Sequence, residues 1–199
     1  NNLNAATNAV NITASGAITD GNGATNNVTA GTLTILGGNA VTDIETNVAT
    51  LALTTAATSI TETDGVTLSD STVGGQLDLS AGSIVLNNLN AATNAVNITA
   101  SGAITDGNDD TAGNNITAGV LTITGNQAVT GIETAVGTLD LATAATSITE
   151  TDGVTITDSE LSGQLDLTTG GAIVLNNLNA SANAVNITAS GAITDGNDD

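Results

Sequence analysis

The chain has 199 residues, of which 40% are hydrophobic, and its formal net charge of −20 comes from 20 acidic residues with no Lys, Arg or His to balance them. It also lacks Cys, Met, Pro, Phe, Tyr and Trp. Because a neutral-pH base, a thiolate and a cationic clamp for an oxyanion are missing, we expect no enzyme. Because phosphates repel an acidic surface, we exclude nucleic acid as a partner.

A long repeat organises the chain. The segment NNLNAATNAVNITASGAITDGN begins at Asn1, returns unchanged at Asn87 and recurs with two changes at Asn176. A period of this length suits several stacked coils or one small domain. We therefore predict one continuous repeat region over residues 1–199. Since the chain starts and stops inside the repeat, we expect it to be an excerpt of a longer polypeptide.

Short alternating segments recur in chain order. In each, two aliphatic residues flank a single residue, which is the pattern of a half-buried strand. Successive pairs begin 23, 18, 26, 19, 25, 18, 26 and 20 residues apart. This spacing predicts one pair per coil of a parallel β-solenoid with corner loops of variable length. The pairs are Val10/Ile12, Leu33/Ile35, Leu51/Leu53, Leu77/Leu79, Val96/Ile98, Leu121/Ile123, Leu139/Leu141, Leu165/Leu167 and Val185/Ile187.

Each coil also carries a second aliphatic patch, and several coils carry a weaker third one, which predicts a triangular cross-section with three short parallel faces. Residues 33–76 align with residues 77–120 as a 44-residue sub-repeat, which we interpret as a unit of two coils. The absence of Pro agrees with interior strands that donate N–H groups to their neighbours. The absence of aromatic residues agrees with a narrow interior.

These patterns predict an all-β fold, a right-handed parallel β-helix of about nine coils of 18–26 residues, with the handedness that crossover connections prefer. Tandem immunoglobulin-like sandwiches are the alternative, because their length of roughly 100 residues is close to the long period. The 44-residue sub-repeat and the absence of Trp and Tyr favour the β-helix. A left-handed hexapeptide helix agrees less well, since aliphatic residues do not recur every six positions.

Three segments, VNITASGAITDGN, LDLTTGGAIVL and TSITETDGVTI, resemble the repeats of a known family. They are similar to the filamentous haemagglutinin-like, giant β-strand-repeat surface proteins of bacteria, and the resemblance covers essentially the whole chain. It implies an exported rod at the cell surface or outside the cell, used for adhesion, aggregation, a sheath or a matrix such as that of a biofilm. It implies no catalytic residues.

On this basis we expect a structural fibre, sheath or adhesin-stalk segment that self-assembles along or beside the rod. The alternative function is a surface adhesin module that binds calcium, a glycan or another cell-surface partner. No apolar run approaches the roughly 20 residues of a membrane helix, so we expect no membrane span in this segment.

Carboxylates recur at related corners, and clustered unpaired acids are candidates for a hard divalent cation. The strongest candidate is TDGNDD, in which Asp106, Asp109 and Asp110 would bind calcium. The competing interpretation is a solvated acidic corner that keeps the rod soluble. The related acids are Asp20, Glu62, Asp64, Glu150, Asp152, Asp195, Asp198 and Asp199. We expect no other cofactor.

Six segments match the acceptor pattern for N-linked glycans. An Asn before a buried aliphatic residue and a Thr after it are also what an alternating strand produces, so we interpret the matches as structural. They begin at Asn11, Asn27, Asn97, Asn115, Asn179 and Asn186.

Overall fold

The structure is a computed structural model that describes residues 2–108 and 113–197. The described residues form 23 β-strands and no helix. All strand pairs are parallel in the described part, and the strands belong to one continuous hydrogen-bonded series. The predicted parallel β-solenoid is therefore confirmed, and it has about 10 coils. The immunoglobulin-like alternative is wrong, because that fold requires antiparallel sheets.

The strands range from two to 15 residues in length. The strands of the first half are β1 Leu3–Asn4, β2 Ala9–Thr13, β3 Ile18–Thr19, β4 Val28–Leu36, β5 Val41–Thr55, β6 Thr58–Glu62, β7 Val66–Leu68, β8 Ser71–Val73, β9 Leu77–Ala81, β10 Ile84–Leu86, β11 Leu89–Asn90 and β12 Ala95–Ala100. The strands of the second half are β13 Ile104–Asp106, β14 Ile116–Thr124, β15 Val129–Thr143, β16 Thr146–Glu150, β17 Val154–Ile156, β18 Ser159–Leu161, β19 Leu165–Thr169, β20 Ile173–Leu175, β21 Leu178–Asn179, β22 Val185–Ala189 and β23 Ile193–Asp195.

The core is a column of aliphatic side chains enclosed by the stacked coils. Leu33, Leu51, Leu68 and Leu86 occupy successive coils of one ladder, and each exposes 0% of its surface. Along a strand, inward and outward side chains alternate, as in β9, where the first, third and fifth residues are buried. The period of two in the sequence thus gives each coil its buried side.

The aliphatic pairs found in the sequence stack directly in six of the eight intervals. In the two 26-residue intervals the next pair lies one face further around the rod. Leu51 is covered by Leu68 instead of Leu77, and Leu139 is covered by Ile156. These intervals contain more than one coil, which is why the coil count exceeds the number of pairs. For the same reason, residues 33–76 span two coils and a further face.

Each copy of the long repeat is consequently rotated by one face relative to the copy before it. Val10, Val96 and Val185 are equivalent in sequence but lie in three different ladders. Val10 lies under Leu33, Val96 follows Leu77, and Val185 follows Leu165. One repeat therefore comprises four coils and one additional face, and three repeats return a given residue to the same side of the rod.

Two kinds of positive-φ corner repeat with the sequence. Ala6, Ala92 and Ser181 have φ values of 52°, 52° and 53°. In each case the backbone N–H donates to the side chain of an Asn two residues earlier, at 2.8 to 2.9 Å. At the other kind, Gly125 has a φ of 118°, and a Cβ there would collide with the carbonyl oxygen of Ala100 in the coil below. Close coil stacking therefore requires glycine at that corner.

Candidate functional site

The corner between β3 and β4 is built around the carboxylate of Asp20. Its Oδ1 accepts the backbone N–H of Asn22 at 2.7 Å and the side-chain amide of Asn27 at 2.8 Å. Its Oδ2 accepts the backbone N–H of Gly23 at 2.8 Å. The Asn27 amide oxygen in turn accepts the backbone N–H of Glu45 at 2.8 Å. The corner loop is thus fastened both to itself and to the following coil.

The equivalent corner of the second copy contains the predicted calcium ligands. Asp106 accepts the backbone N–H of Asn108 and the side-chain amide of Asn115, both at 2.8 Å and both on Oδ1. Asp109 and Asp110 lie outside the described residues. The structure therefore places one of the three proposed ligands, and the calcium site stays a prediction. Among the residues that the structure describes, no group of three or more acidic side chains could hold a metal ion.

The third copy keeps part of this arrangement. Asp195 accepts the backbone N–H of Asn197 at 2.9 Å. Asp20, Asp106 and Asp195 thus share one local geometry, in which a carboxylate closes a turn over the residue two positions later. In this geometry the carboxylate is a turn-forming group first, and its remaining oxygen lone pairs are what a cation could use.

Asn27 and Asn115 are structural residues whose role the sequence pattern did not single out. Asn115 exposes 0% of its surface, donates to the carbonyl oxygen of Leu86 at 2.7 Å and accepts the N–H of Glu133 at 2.7 Å. Its amide is therefore enclosed and fully engaged, which removes it as a glycan acceptor. The repeated NN-V/I-T sequence after each long corner was the available signal, because a buried Asn is hydrogen-bonded on both sides.

Two of the corner acids lie inside the rod, against the expectation of a solvated corner. Glu62 exposes 3% of its surface and Glu150 exposes 0%. Oε2 of Glu62 accepts the Thr46 hydroxyl at 2.6 Å and the Val48 N–H at 3.0 Å. Glu150 makes the equivalent contacts, with the Thr134 hydroxyl at 2.7 Å and the Val136 N–H at 3.0 Å.

Burial and hydrogen bonding shift the pKa values of four carboxyl groups in the described part of the chain, two of them upward and two downward. Burial raises the pKa of Glu150, although hydrogen bonds from Thr134 and from backbone N–H groups oppose it. Burial also raises the pKa of Asp140, and the nearby charge of Asp158 adds to that shift. Such shifts follow when the charged form loses hydration or faces a like charge.

On the surface the shifts are downward. The side-chain amide of Asn27, followed by the N–H of Asn22, lowers the pKa of Asp20. The amide of Asn186, followed by that of Gln164, lowers the pKa of Asp166. In both cases donors stabilise the charged carboxylate.

Two surface depressions, of about 420 and about 380 Å³, meet at Gly125 and follow the rod axis. Asn126, Glu160 and Ser162 line the first, and Thr99 lines the second. In both linings these polar side chains lie among alanine and glycine residues, such as Ala142 in the first and Ala81 in the second.

Comparison with known proteins gives no match. No family model, curated protein or solved structure matches the chain. In the part of the chain that the structure describes, no helix has the length and apolar character needed to cross a bilayer.

Proposed function

We propose that this chain is a structural segment of an extracellular or cell-surface fibre, sheath or adhesin stalk of the filamentous haemagglutinin-like, β-strand-repeat type. The observation that carries the proposal is the unbroken stack of about 10 parallel coils around one aliphatic column. At roughly 4.8 Å per coil, the stack forms a rod on the order of 48 Å long.

The rotation of each repeat by one face supports a role as a rod. Because equivalent surfaces point in three directions, a repeat array has no single functional side. This arrangement suits an element that extends and makes contacts around its circumference. The charge of −20 without any basic residue favours the solubility of a thin rod, which has a large surface for its volume.

We also propose that the role is non-catalytic. The sequence contains none of the His, Cys, Lys or Arg side chains that most acid–base and nucleophilic mechanisms use. The buried Glu62 and Glu150 are occupied by hydrogen bonds within the rod. Homotypic contacts along or beside the rod are the partners we propose.

Antibodies against the purified chain test location and shape together. We expect electron tomography of producing cells to show label along thin filaments outside the cell. Label confined to the cell interior, or to compact particles, would contradict the proposal. Sedimentation of the native full-length protein tests self-association, and a strictly monomeric protein at all concentrations would remove that part.

A further inference from the structure

The corner of the first copy contains a dipeptide that the other copies lack. Asn22 is followed by Gly23, and this is the one Asn-Gly sequence in the chain. At the equivalent positions, Asn108 and Asn197 are followed by Asp. Asn-Gly is the sequence most prone to deamidation, because glycine lets its backbone nitrogen approach the preceding side chain without steric hindrance.

The reaction has defined geometric requirements. The backbone nitrogen of Gly23 loses its proton and attacks Cγ of Asn22, a C–N bond forms, and ammonia leaves from the side-chain amide. Water then opens the resulting succinimide to aspartate or isoaspartate. The Gly23 nitrogen must therefore be free to deprotonate, and the Asn22 side chain must be free to rotate toward it.

The folded corner opposes both requirements. The Gly23 N–H is donated to Oδ2 of Asp20 at 2.8 Å. The Asn22 amide oxygen accepts the Asn27 side-chain amide at 2.8 Å, and the Asn22 N–H is donated to Oδ1 of Asp20 at 2.7 Å. The Gly23 nitrogen and the side-chain carbonyl of Asn22 are thus held by separate partners, Asp20 and Asn27, which keeps the nitrogen from attacking Cγ.

Asp20 holds the proton of Gly23 without removing it. Its pKa is lowered, first by the Asn27 amide, so its carboxylate is a weak base. Its negative charge also disfavours a second negative charge on the neighbouring nitrogen. A carboxylate in this position therefore slows the attack.

We propose that Asn22–Gly23 is a latent modification site, a deamidation site that the hydrogen bonds of Asp20 and Asn27 suppress in the folded rod. The reaction would place a second carboxylate beside Asp20 and loosen the corner. In a rod at the cell surface, the hydrogen bonds of this corner would thus determine how long Asn22 stays unmodified.

The test follows the mass of residue 22 during incubation at neutral pH. Because the chain has no Lys or Arg, peptides are produced with a protease that cleaves at acidic residues. We expect the folded wild type to deamidate at least about tenfold more slowly than the same chain in urea, since a hydrogen bond to a charged group must break first. Equal rates would overturn the proposal.

Asp20→Ala separates the role of this carboxylate from that of the fold as a whole. We expect the folded variant to deamidate several-fold faster at Asn22 than wild type. Asp195→Ala, which removes the equivalent carboxylate where no Asn-Gly follows, should leave Asn22 at the wild-type rate. A rate in Asp20→Ala equal to or below that of wild type would sink the assigned role, and thermal unfolding of each variant checks that it is folded.

Discussion

Glu150 shows how a single inward carboxylate completes the hydrogen bonding of a coil. In β16, Thr146, Ile148 and Glu150 alternate toward the interior. The strand ends at Glu150, and its side chain accepts the N–H of Val136 in the coil below. The side chain thus takes the place of a backbone acceptor, which offsets part of the cost of burying a charge.

Replacing Glu150 by Gln should change how stability depends on pH. Because burial raises the pKa of Glu150 in the folded chain above its ordinary value of 4.5, its contribution to the free energy of unfolding is fully present below that ordinary value and is lost as pH rises through the raised pKa. We therefore expect the stability of wild type relative to Glu150→Gln to fall over a pH range that begins near that ordinary value and extends upward. Urea unfolding across this range measures it.

Glu160→Gln is the matched control, since Glu160 is exposed on β18. Its stability should follow that of wild type in parallel over the same range. If the Glu150→Gln and wild-type profiles were parallel as well, the buried carboxyl would not titrate as the structure indicates.

At this scale the sequence predicted the aliphatic interior but not the inward acids. The period of two identified Leu77 and Leu79 as buried, and both are. The same period places Glu62 on the inward side of its strand, together with Ile60. An acidic residue is nevertheless assigned to the surface because of its charge. Only the coil above or below reveals the hydroxyl and N–H that make burial tolerable, and no local pattern contains that information.

At the scale of strands and corners, loop length decides which residues lie above one another. A 26-residue interval moves the aliphatic pair to the next face, as between Leu51 and Leu77. The sequence contains this information, because an interval of 26 residues exceeds a coil of 18 residues by about the length of one face. The NN-V/I-T sequence marks Asn27 and Asn115, but their partners were not readable from it, since both side chains act through contacts with adjacent coils that are 18 and 29 residues away in sequence.

Gly125→Ala should destabilise the rod through one corner. The added Cβ meets the Ala100 carbonyl, and the φ of 118° is one that alanine rarely adopts. We expect a loss of more than about 1 kcal/mol in the free energy of unfolding. Gly16→Ala is the control, because nothing lies within 4 Å of its Cβ position, and it should change stability by at most about 1 kcal/mol. Equal effects of the two variants would show that coil contact at Gly125 is not limiting.

For the whole molecule, the rotation by one face means that successive copies share a sequence but present equivalent residues on different sides of the rod. The core is nevertheless continuous, because each face offers the same aliphatic column to whichever coil follows. Leu33 and Leu121 illustrate this equivalence: both expose 0% of their surface, but Leu33 lies above Val10, whereas Leu121 lies above Val96. A coil should therefore accept either strand as its neighbour.

Deleting residues 33–120 tests this interchangeability, because it joins Thr32 to Leu121 and places Leu121 above Val10. We expect the shortened chain to keep parallel-β circular dichroism and one cooperative unfolding transition, with a smaller dependence on denaturant because less surface is buried. Deleting residues 33–119 instead joins Thr32 to Val120, and the one-residue shift turns every following inward side chain outward on that strand. This second variant should be markedly less stable. If the deletion of residues 33–120 does not fold, the coils are not interchangeable layers, and the rod depends on contacts particular to each copy. If both variants fold equally well, the inward–outward alternation of this strand does not set its register.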